Sequence, residues 1–160
     1  MITIEWIFIG LALAAAASLA MAIGRRQMTG RRQRQFAAAK RQFQRLREQL
    51  EAKFLQRAGL TGKPRGLRWA DCEFEDDVSY ARDRQSGQLS AFVAVCIKFE
   101  AVEGGGMEEV EAVGNHKYGT AVFYWDPKHQ WTTEGRAIFN LAPRDAVRHF
   151  QATMEPVAQE

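Results

Sequence analysis

Two thiols and three histidines are the side chains of this 160-residue sequence best suited to nucleophilic or metal chemistry. A thiol attacks as its thiolate and needs a base beside it. His116, His129 and His149 are the only imidazoles, and no spacing pairs any of them with Cys72 or Cys96. There is no CxxC, and scattered histidines do not make a zinc ligand set, so neither a metal nor another cofactor is expected. The cysteines read as small buried hydrophobes. The carboxylates of "CEFEDD" and "MEEVE" lack the spacing of a calcium loop and read as solvated turns and edges. The glycines of "EGGGM", at 103–107, lack the Lys and Ser or Thr of a phosphate-binding loop and are followed by acids that repel phosphate. They read as a connector. No reactive constellation is left, so no catalytic residue is assigned and no enzymatic activity is expected.

The remaining side chains with binding potential are aromatic. Trp69, Phe123, Tyr124, Trp125, Trp131 and Phe139 pack as core by default, and would line a ligand groove if one strand face stayed uncovered. Trp125 and Trp131 flank the turn "DPKHQ" and are candidate exposed anchors for a protein partner.

Charge divides the elements that must carry these residues. The net of +3 is the balance of unlike parts. Residues 6–24 hold no charge; 25–57 hold eleven Lys or Arg against Glu48 and Glu51, a net of +9; from Thr61 onward eleven basic face sixteen acidic residues, a net of −5. The pI of the whole chain therefore says little about partners.

The uncharged run is long enough to cross the bilayer hydrocarbon as a helix, at about 1.5 Å per residue. Its start, "MITIEW", carries Glu5 and no basic residue, the reverse of a cleaved secretory signal. The arginines after Gly24 act as a stop and place that side in the cytoplasm. The expectation is an uncleaved single-pass anchor at 1–24, N-terminus outside, with Arg25, Arg26, Arg31, Arg32 and Arg34 at the headgroups. Gly10, Ala14, Ser18 and Ala22 form a small-residue stripe through which a second copy could approach.

Residues 25–60 are expected as a basic amphipathic helix, frayed at Thr29 and Gly30 and ended by Gly59, Gly62 and Pro64. Phe36, Phe43, Leu46, Leu50 and Phe54 mark its contact face, in nearly heptad spacing. Three occupants of that face compete: the C-terminal domain, a second copy in a short coiled coil, or anionic lipid. Nucleic acid is not expected, because a position below the membrane accounts for the arginines.

From 61 to 160 the pattern alternates. "GLRWADCEF" reads as a strand with Leu67 and Trp69 on one face and Ala70, Cys72 and Phe74 on the other, followed by an "EDD" turn. "VSYARDR" and "LSAFVAVCIKFEAV" flank "QSGQ" as a hairpin. In the second, Ala91, Val93, Val95, Ile97 and Phe99 share one face. "EEVEAV" reads as an edge strand, "GTAVFYW" and "WTTEGRAIFNL" as two more strands, and Pro143 opens a short last helix. The fold class is α+β: a transmembrane helix, a basic juxtamembrane helix, then a mainly antiparallel sheet of four to six strands with a short C-terminal helix.

The function expected is that of a single-pass membrane protein whose small domain binds or organises a partner. The alternative is a membrane-tethered enzyme or small-ligand binder with a pocket over the sheet, using Cys96, Glu100 or a histidine. Were the domain exported, Cys72 and Cys96 would be placed for a disulfide across two strands.

Overall fold

The computed structural model describes residues 2–61, 66–126 and 130–157; the side chains at 2–15, 17, 25, 61 and 112 are not among those described. Its elements run α1 (Ile2–Thr61), β1 (Leu67–Asp83), β2 (Leu89–Ala101), a 3-10 turn (Glu111–Gly114), β3 (Lys117–Asp126), β4 (Gln130–Thr132), β5 (Ala137–Phe139), α2 (Pro143–His149) and β6 (Met154–Pro156). The class is α+β, a long N-terminal helix followed by an antiparallel sheet and a short helix. The chain forms two compact units, Met1–Gln44 and Arg45–Glu160, and α1 contributes residues to both.

In the first unit α1 is helical through Thr29 and Gly30, where fraying was expected. One Gly costs a helix only about 1 kcal/mol, and strong helix formers surround it. The Thr29 Oγ1 donates to the Arg26 carbonyl at 2.9 Å, keeping the hydroxyl inside the helix's own hydrogen-bond pattern. Among the described residues no helix is long and apolar enough to cross a membrane. The anchor expected at 1–24 falls largely on side chains outside those described.

In the second unit the strands are ordered β4-β3-β2-β1-β6, with β5 pairing to β3 further along the edge that β4 occupies. β2 is central, and its alternation is as the sequence reads: Ala91, Val93, Val95, Ile97 and Phe99 are all buried on one face. The residues 45–61 of α1 cover that face. Leu50, Phe54 and Ala58 are buried, and Phe54 sets its ring against Trp69, Phe74 and Phe123 with centroids 5.5–6.0 Å apart. α2 covers the opposite face, where Ala146 and Val147 join Ala81, Phe92 and Val122 in a smaller core. Pro143 fills the first turn of α2, as the sequence predicts, after Ala142 at the N-cap position, which makes no side-chain capping bond.

Four local readings are corrected. "EDD" is not a turn: β1 continues through it, and the β1–β2 register slips between Phe74 and Val78, so Glu75, Asp76 and Asp77 form a bulge. A first slip, between Trp69 and Asp71, returns Cys72 and Phe74 to the face of Trp69, where strict alternation would separate them. "EEVEAV" contains a 3-10 turn rather than an edge strand. "WTTEGRAIFNL" is two short strands, parted where Gly135 takes a left-handed backbone, φ +77°. β6 was not foreseen; "MEP" is too short to show a period, and it pairs with β1 at Ala81–Asp83.

Candidate functional site

An open groove of about 1370 Å³ lies in the second unit along the β3 edge that β4 and β5 leave incompletely covered. Its parts come from every side of that edge. α1 contributes Lys53 and Arg57; β1 contributes Trp69; β3 contributes Tyr124 and Asp126; the link between β4 and β5 contributes Thr133, Glu134 and Arg136; β5 contributes Phe139. Aromatic walls and charges of both signs are thus brought together by tertiary structure, not by a sequence motif.

The link is fixed from within. The Thr133 Oγ1 donates to the Val122 carbonyl at 2.8 Å and accepts from the Gly135 amide at 3.1 Å. A Cβ at Gly135 would run into the backbone of Arg57 and Ala58, so this turn seats against α1 only with glycine. The Lys53 Nζ donates to the Thr132 Oγ1 at 2.9 Å, tying α1 to β4. The Arg136 guanidinium lies 5.9 Å from the Phe150 ring centroid. Burial raises the Tyr124 hydroxyl above its usual range, with Arg136 opposing the shift. The Trp69 Nε1 is buried with no hydrogen-bond partner among the described residues. Such a groove can hold a chain with polar and apolar groups.

The partner anchors separate. Trp131 is only 4% exposed and packs its ring against Tyr80, so it is a core residue and not the exposed anchor expected of it. Trp125 pairs with it across β3 and β4 and is half-buried. Pro127, Lys128 and His129 of the expected turn lie outside the described residues. On the helix contact face, Leu50 and Phe54 are buried and Leu46 is half-buried, while Phe36 and Phe43 belong to the first unit. Of the basic residues below the expected anchor, Arg26, Arg31, Arg32 and Arg34 are exposed, and the Arg25 side chain lies outside those described.

The thiols are free and face away from each other. Cys72 pairs with Ile97 and shares the α1-covered face; Cys96 pairs with Glu73 on the opposite face. Neighbouring strands present these side chains to opposite sides, so the disulfide considered for an exported domain cannot form without rebuilding the sheet. Burial, reinforced by Asp71, pushes the Cys72 thiol up to about 12. Burial, with Glu73 and Glu75 nearby, also raises Cys96. Both environments oppose the thiolate that attack on a substrate requires. His116 and His149 are exposed, and His149 stacks edge-on with Phe150 at 5.0 Å. Among the described residues, no three His, Cys, Asp or Glu side chains converge as a metal site.

Comparisons with protein-family models, curated proteins and solved structures find no match to this chain.

Proposed function

We propose that this chain is a membrane-held binding protein: the apolar run at 6–24 anchors it, the arginines that follow lie at the cytoplasmic headgroups, and the α+β domain receives a protein partner. The observation that carries the reading is the abrupt change at Gly24. Leu19, Met21 and Ile23 are 64%, 61% and 49% exposed, on both sides of the helix, immediately before the basic cluster. Leaving such side chains in water forfeits about 25 cal/mol per Å², and lipid or partner helices would recover it. The arginines add electrostatic attraction to anionic lipid, about 1 kcal/mol each near the surface.

The groove supports the binding half of the reading. Lys53, Arg57 and Arg136 line it together with Asp126, Glu134 and three aromatic side chains, a mixture suited to an extended peptide segment. The same groove favours the second reading, a small-ligand binder without catalysis.

The test is alkaline carbonate extraction of membranes from cells making the full chain. An integral protein stays in the pellet and leaves it only with detergent. Replacing Leu11 and Leu13 with Glu should release it into the wash. Complete release of the unaltered chain by carbonate would remove the anchor from the account.

A further inference from the structure

A second cavity, of about 530 Å³, opens between α2 and the β1–β6 edge, away from the groove. Arg84, Arg144 and Arg148 line it, and among the described residues no carboxylate does. This is unexpected in a segment whose net charge is −5. Arg144 and Arg148 stand one turn apart on α2, where like charges at i,i+4 destabilise a helix. Arg84 joins them from the end of β1, held in place because its amide donates to the Thr153 carbonyl at 2.8 Å and its Nε to the Gln151 carbonyl at 3.3 Å. That bond occupies Nε and leaves both Nη groups of Arg84 for a ligand. Asp145 meets Arg148 at 3.4 Å, a long contact between exposed groups that neutralises little.

We infer that this cavity binds a phosphate group carried on a partly apolar molecule. Three guanidiniums on two elements give the planar donor forks that match phosphate oxygens, and their mutual repulsion is relieved when an anion sits among them. Ser79, on the α2-covered face of β1, is nearly buried and offers a hydroxyl at the cavity wall. Val147 and Val157 supply an apolar wall for the remainder of the ligand. A soluble phosphate ester and a phospholipid headgroup share this chemistry.

The experiment uses the full chain in neutral detergent micelles, labelled with 15N, and follows the Nε–H resonances of Arg84, Arg144 and Arg148. These signals report the cavity alone and are blind to anions gathered by the arginines of α1. Inorganic phosphate is titrated against chloride at matched ionic strength; in a second arm, phosphatidylcholine vesicles with and without phosphatidic acid replace the micelles. Saturable shifts with phosphate, absent with chloride, support the site as one for soluble esters. Shifts seen only with phosphatidic acid support it as a headgroup site. Arg84→Gln and Arg144→Gln should each weaken binding about tenfold or more, Arg144→Lys by less, and Arg68→Gln, in an exposed pair with Glu100, not at all. Drift that is the same for phosphate and chloride, with no response to phosphatidic acid, overturns the inference, and this comparison needs no variant to fold. Binding that survives both Gln variants with folded spectra overturns it as well.

Discussion

Phe54 is the side chain on which the packing of the second unit turns. Fully buried, it meets three other aromatic rings from β1 and β3, and its removal opens a cavity that stiff strands cannot close. Phe54→Ala should cost about 3–5 kcal/mol, read from the shift of the urea midpoint, a large fraction of the stability of a typical domain. A loss below about 1 kcal/mol would mean that α1 does not cover this face in solution. Cys72 gives a prediction in pH. Its thiol ionises near 9.0 when unfolded and near 12 when folded, so between those values the unfolded chain releases the proton first and stability falls as pH rises. Below pH 9 this contribution is fully present and constant. Cys72→Ala should flatten the decline in melting temperature above pH 9; an unchanged slope would place the thiol in contact with water.

At the scale of elements, the link between β4 and β5 shows how strictly the β3 edge is built. Gly135 combines a left-handed backbone with direct contact on Arg57 and Ala58, so Gly135→Ala should destabilise the unit by more than about 1 kcal/mol and also loosen the groove. Equal stability, measured by thermal unfolding, would refute this seating. Arg47 braces the other end of the helix segment: it pairs with Glu51 at 2.7 Å and reaches Asp76 at 3.2 Å, and it donates to the Glu75 carbonyl in the β1 bulge. These devices mark the border of what could be read in advance. The alternation of β2, the hairpin at Asp83–Gly87 and the Pro-initiated α2 were legible because each is specified within a few residues. The bulges of β1 were not, because a register slip depends on the partner strand and the alternation simply resumes beyond it. The groove was half legible: Trp69, Tyr124 and Phe139 stood out as aromatics, whereas Lys53, Arg57 and Arg136 become neighbours only through the fold. Trp131 misled because a Trp beside a turn reads alike whether its ring is inside or outside.

For the molecule as a whole, the chain divides its labour along the sequence. The first unit carries uncharged residues and then arginines, in an order that suits a membrane boundary; the second carries a sheet covered on both faces, a groove and a cationic cavity. Neither thiol is placed for a disulfide, so redox state no longer reports the compartment, and the orientation has to be measured directly. The decisive measurement is a pair of fusions at Glu160 of the full chain, one to a reporter active only outside the cytoplasm and one to a reporter fluorescent only when folded inside it. The account predicts fluorescence without external activity. External activity without fluorescence would contradict it, place the domain across the membrane, and remove the role assigned to the arginines after Gly24.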